Sequence, residues 1–184
     1  MLGDKLYHGT TASAGHKIAA SGWLTPRGAR SSNWDRGLFG GDPSAEDLVY
    51  VTDREGALYY MKEVCRMSRT SRGAVLKVEM DWGNAVLDED LVADILVRTK
   101  PGSGKLTDKV WRAYAKFLDA SPAAAYQIFN DLEVQHQSDS QYAQDMKDTA
   151  RLITNPRVVR ELSKGTVASS VPLRVLEIEY FKVK

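Results

Sequence analysis

The order of predicted elements points to an α+β fold on a mainly antiparallel sheet with flanking helices. Three features carry that reading. Strand-like segments stand near both ends of the chain, Leu6 and Tyr7 at the front and Val175, Ile178 and Tyr180 at the back. Between them, over about 105–153, apolar residues recur at helical spacing, which predicts a helical insertion. The 184 residues suit one domain, 1–184, large enough to bury a core.

Taken in order, Leu6 and Tyr7 form a brief strand ending at His8-Gly9-Thr10. Ser13 is the expected cap of a short helix carrying Ile18 and Ala19, closed by Gly22. From Pro26 to Asp47, glycines among Arg, Ser and Asp give a long loop, a form that is often functional inside a compact domain. Leu48 to Thr52 is a strand, and Asp53 caps a helix with Ala57, Tyr60, Met61, Val64 and Met67 on one face. Ala74 to Met80 is a further strand, broken at 81–84 and followed by an acidic turn, Asp88-Glu89-Asp90.

The insertion begins after the Pro/Gly/Ser joint at 100–104. Thr107 is the expected cap of a helix striped with Val110, Trp111, Tyr114, Phe117 and Leu118, and Pro122 opens a second through Ile128, Phe129 and Leu132. A third covers Gln141 to Leu152 and stops at Asn155-Pro156. Two strands joined at Pro172 finish the fold, with Glu177 and Glu179 on the polar face of the last.

Composition narrows the function. Apolar residues at 43% and charged residues at 27% describe a soluble globular chain and exclude a disordered, collagenous or coiled-coil one. A net charge of +1 supplies no global attraction for a polyanion, so nucleic acid as a partner would need a local patch. Cys65 alone excludes an intramolecular disulfide framework and a multi-thiolate zinc site. With no basic-apolar leader and no apolar run of about 18 residues, the expectation is a cytoplasmic protein without a membrane span.

Other chemistries find little support. His8, His16 and His136 are scattered, with no H-E-x-x-H, so no metal site is expected. There is no G-x-S-x-G nucleophile elbow, and Gly37-Leu38-Phe39-Gly40-Gly41 lacks the Lys and Ser or Thr of a phosphate loop. Lys62, Arg66, Arg69 and Arg72, with Arg27, Arg30 and Arg36 from the long loop, form a basic edge that suits either solvent or a phosphate. Trp34, in that loop, is a candidate substrate contact.

Taken alone, His8 is an ordinary structural histidine. An ordered set gives it more meaning: Tyr7-His8-Gly9-Thr10, then Val49-Tyr50-Val51-Thr52, Ala57-Leu58-Tyr59-Tyr60, Val78-Glu79, Asp88-Glu89-Asp90 and Pro172-Leu173-Arg174-Val175. This set resembles the ADP-ribosyltransferase superfamily in its poly(ADP-ribose) polymerase-like branch, with the nearest pattern in the rifampicin ADP-ribosyltransferases. The matches cover about a third of the chain.

The resemblance implies a split antiparallel sheet, NAD as substrate, and transfer of ADP-ribose to a macromolecular or small-molecule acceptor with release of nicotinamide. The bond that breaks does so with oxocarbenium character, so the protein must hold the ribose and stabilise positive charge. By the resemblance His8 hydrogen-bonds ribose hydroxyls, Gly9 lets backbone approach the nicotinamide amide, and Thr10 braces the turn. Tyr50 and Tyr59 are implied as aromatic walls for the nicotinamide ring. The acid is Asp88 by the rifampicin-modifying pattern, with Glu89 and Asp90 beside it, or Glu161 by the polymerase-like one. No Glu immediately precedes Thr166, which favours single transfer over polymer formation. The competing expectation is a non-catalytic interaction protein that binds a partner through the insertion.

Overall fold

The computed structural model describes residues 5–28, 45–136, 140–163 and 165–183. Seven α-helices and seven strands lie among them, and all the strands join one antiparallel sheet. The strands are β1 (Lys5–Thr11), β2 (Trp23–Leu24), β3 (Val49–Thr52), β4 (Arg72–Glu79), β5 (Ala85–Leu87), β6 (Thr166–Ser169) and β7 (Leu173–Lys182). Across the sheet they run β2-β7-β4-β1-β3-β6-β5. The α+β class and the antiparallel sheet expected from the sequence are both present.

One junction in that order is thin. β1 pairs with β4 at every position from Lys5 to Thr11, but with β3 only at Tyr7 opposite Thr52. The sheet therefore consists of a four-strand half and a three-strand half that meet at one pair and then part. Beyond Tyr7, the edge of β1 that faces β3 has no ladder partner, and backbone groups in such a gap are available to side chains or ligands.

The helices are α1 (Ala12–Ser21), α2 (Arg54–Met67), α3 (Glu89–Arg98), α4 (Thr107–Phe117), α5 (Pro122–His136), α6 (Ser140–Arg151) and α7 (Pro156–Leu162). Thr11 rather than Ser13 caps α1, accepting from the Ala14 N–H at 3.3 Å, because β1 runs into the helix without a loop. Gly22 closes α1 at φ 74°, a left-handed position that suits glycine. Asp53 caps α2 as expected, its Oδ1 accepting from the Gly56 N–H at 2.7 Å.

α2 lies directly on β1. A Cβ added to Gly9 would stand 2.1 Å from the Ala57 carbonyl oxygen and 2.6 Å from the Met61 nitrogen, so the missing side chain is what lets the helix backbone sit this close. Tyr7 packs beside the small cluster of Ala57, Met61, Cys65 and Val75 under the same helix.

The acidic turn expected at 88–90 is instead the start of α3. Asp88 is its cap, accepting from the Asp90 N–H at 3.0 Å, and Val92, Ile95 and Leu96 are buried. Likewise Asn155-Pro156, expected as the stop of the third insertion helix, lies beyond the end of α6 at Arg151 and begins α7: Asn155 Oδ1 accepts from Arg157 and Val158, and Pro156 takes the first turn, where a missing N–H costs nothing.

The insertion is no appendage. Trp111, Tyr114 and Phe129 are fully buried with their rings edge-on to one another, and they belong to the same continuous core as Leu6, Val51 and Leu87 of the sheet. Trp111 Nε1 donates to Thr99 Oγ1 at 3.0 Å, which fixes α4 to the end of α3. The insertion thereby holds α3, and with it the acidic residues, in place over the sheet. No helix among the described residues is long and apolar enough to cross a membrane.

Candidate functional site

The site forms where β1 and β3 part. His8 Nδ1 lies 2.9 Å from the Tyr50 carbonyl oxygen. A carbonyl only accepts, so Nδ1 carries the proton and donates it. Burial pushes the His8 pKa below its usual value, with the Tyr50 bond opposing that shift. The neutral ring then keeps Nε2 as an acceptor, the group needed to receive a hydroxyl hydrogen.

Tyr50 meets His8 through its backbone carbonyl, and its ring packs against Ala45, Leu48 and Ala168. Its hydroxyl donates to the Glu89 carboxylate, with Oε1 at 2.7 Å and Oε2 at 2.8 Å, and accepts from the Ala45 N–H at 3.2 Å. Burial and the Glu89 charge raise the Tyr50 pKa, so the phenol stays protonated. The ring's outer end is thus committed to an acid rather than left as a bare wall.

Asp88 and Glu89 differ in their duties. The Asp88 carboxylate caps α3, whereas Glu89, one residue further, faces Tyr50. Burial first, then the charges of Glu89 and Asp90, push the Asp88 pKa up from 3.8 to about 7. Burial also raises Glu89, against the hydrogen bond from Tyr50. Both acids hold protons more tightly folded than unfolded, so stability declines as pH climbs from about 4 through about 7. Asp88→Asn keeps an N-cap oxygen and loses the buried charge. Its melting temperature is expected to exceed wild type near about pH 8 and to converge with it near about pH 4, as thermal denaturation across that range will test.

The remaining sequence-predicted residues are placed differently. Thr10 is buried on β1 opposite Ala74. Gly9 turns the side where a Cβ would stand to the backbone of α2. Tyr59, on α2, is 52% exposed with its ring edge-on to Tyr60, and no hydrogen bond links it to His8 or Tyr50. Glu161 is exposed on the last turn of α7 and joins neither residue. Glu177 and Glu179 are engaged by Lys77 at 3.2 Å and Arg54 at 2.7 Å, as expected of a polar face. Arg30, Trp34 and Arg36 lie outside the described residues.

Sequence reasoning named Asp88 with Glu89 and Asp90 as neighbours, and of these it is Glu89 whose carboxylate accepts from the Tyr50 hydroxyl. The signal was present: an Asp followed by two acids and then Val92, Ile95 and Leu96 marks a helix cap and first turn, which leaves the second acid free to face outward from the cap. Among the described residues, no group of three or more His, Cys, Asp or Glu is placed to hold a metal ion.

A half-buried neutral histidine, a protonated tyrosine and two carboxylates with raised proton affinity stand together at a sheet junction. The chain matches no protein-family model, no curated protein and no solved structure.

Proposed function

We propose that this protein is a mono-ADP-ribosyltransferase that cleaves NAD and transfers ADP-ribose to an acceptor, releasing nicotinamide. The observation that carries the reading is the linkage His8–Tyr50–Glu89 across the seam of the sheet, which unites residues of three separate sequence segments.

On this reading His8 Nε2 accepts from a ribose hydroxyl and fixes the sugar in the seam. As the bond between nicotinamide and the ribose C1 breaks, the electron pair leaves with nicotinamide and C1 becomes cationic. The Glu89 carboxylate, held by Tyr50, offers the opposing charge. Asp88, poised near neutrality, is suited to take the proton that the acceptor loses. The acid of this reading is the Asp88–Glu89 pair; Glu161 stands on a different helix.

The alternative, an interaction protein using the insertion, gains less support. The largest apolar side chains described there are consumed by the core, and Ile128 and Leu152 are its two large hydrophobic side chains exposed among the described residues.

The test is calorimetric titration with NAD followed by assay of released nicotinamide. Wild type is expected to bind and to release. Glu89→Gln, which keeps a hydrogen-bond acceptor for Tyr50, is expected to bind NAD with similar affinity and release nicotinamide about a hundredfold more slowly. Absence of NAD binding in the wild-type protein overturns the reading.

A further inference from the structure

At the far end of the Tyr50 side chain from His8, a cavity of about 290 Å³ opens between the turn at 45–47 and α6. Its polar lining is Arg27, Glu46, Asp47, Gln144, Lys147 and Arg151. Ala45 also lines it, and its N–H donates to the Tyr50 hydroxyl, so the cavity shares a wall with the Tyr50–Glu89 pair. The volume is close to the lower end for small-molecule pockets, about 300 Å³.

The guanidinium cations of this cavity are paired with more exposed carboxylates. Arg27 and Glu46 approach to 3.9 Å, but the Arg27 side chain is 20% exposed and that of Glu46 is 63% exposed. Arg151 donates to both Asp47 oxygens at 2.6 and 2.7 Å, with 38% exposure against 64% for Asp47. In both pairs the guanidinium is the less exposed partner, and Arg151 also lies 3.7 Å from Asp148, whose side chain is 36% exposed. Ion pairs to such exposed carboxylates are weak and screened, so a more highly charged anion can take their place. Guanidinium forks match phosphate oxygens two at a time, and Lys147 adds a third cation.

We propose that this cavity binds the phosphate group of a small organic phosphate, which is the acceptor substrate. The acceptor role rests on the transferase reading above; the phosphate binding stands on the cavity itself. Lys147 links the two, since its ammonium favours the ionised form of Glu89, and an anion bound beside it shifts the charge that Glu89 experiences. In the transfer, a hydroxyl oxygen of the acceptor gives its electron pair to the ribose C1. Nicotinamide departs with the pair of the broken carbon–nitrogen bond, and the hydroxyl proton passes to the Asp88–Glu89 pair.

The experiment titrates ribose 5-phosphate, ribose and inorganic phosphate into the full chain in phosphate-free buffer, with and without saturating NAD. Ribose 5-phosphate is expected to bind saturably, ribose not to bind, and NAD to leave the site open. Arg27→Gln and Lys147→Gln are each expected to weaken ribose 5-phosphate about tenfold, with melting temperature and NAD affinity unchanged. Absence of binding by both phosphates overturns the proposal, as does equal binding by folded variants. Displacement by NAD assigns the cavity to the dinucleotide's own diphosphate and overturns the acceptor role. A chain that binds ribose 5-phosphate but not NAD keeps the phosphate site and loses the transferase reading.

Discussion

On the proposed transferase reading, His8→Ala is expected to lower nicotinamide release from NAD at least about a hundredfold, because a ribose bound there would lose the acceptor that positions it. The same change removes the bond to the Tyr50 carbonyl, one of the few polar links between the two halves of the sheet. That structural loss is modest, on the order of 1 kcal/mol for a single neutral hydrogen bond. A small drop in melting temperature with a large drop in turnover is therefore the expected pattern. His8→Gln provides the control. Its amide can donate to the carbonyl while also offering an acceptor, so it should recover stability first and activity only as far as geometry allows. Undiminished nicotinamide release by folded His8→Ala would falsify the transferase reading.

Gly9→Ala is expected to cause the largest loss of stability of any single methyl addition in the site region. The new Cβ would collide with the Ala57 carbonyl and the Met61 nitrogen, and both obstacles are helix backbone that no rotamer change can move aside. Either α2 lifts from β1 or the strand bends, and overpacking of this type costs on the order of 3 kcal/mol. Urea denaturation will measure it. Gly22→Ala supplies the contrast, since nothing stands within 4 Å of its Cβ position and only its φ of 74° resists, at about 1 kcal/mol. Equal losses at the two glycines would contradict the close approach of α2.

Much of this architecture can be read from local chemistry. The alternating residues of β7, the Asp53 cap and the aromatic stripe of α4 announce themselves, because each is a repeated pattern or a side chain with one favoured position. What escapes is short or ambiguous. Ala85–Leu87 is too brief to show a period, and its strand character comes from pairing with β6. Asn155-Pro156 reads as a stop because proline cannot continue a helix, yet the same property makes it a good first residue of the next.

The site divides in the same way. His8 and Tyr50 stand at strand positions that the sequence marks, but their meeting depends on where β1 and β3 separate, a long-range fact with no local signature. Gly9 is the reverse case: the sequence marks a place of close approach, but that α2 is what approaches on the side where a Cβ would stand has no local signal, because glycine permits close approach by any partner, protein or substrate. Tyr59 repeats the lesson on a helix, where spacing gives a face but not what that face meets.

The pairing of the second strand with the last, and of the third with the one before it, bears on how the molecule is born. β2 needs β7, β3 needs β6, and the Thr52 hydroxyl donates to the Gly165 carbonyl across 113 positions of sequence. During synthesis, the front of the chain leaves the ribosome with its edges unmatched, and large loops must close before those edges are rewarded. The meeting of His8 with Tyr50 is thereby withheld from the nascent polypeptide: β3, which carries Tyr50, gains its outer partner only after β6 has emerged.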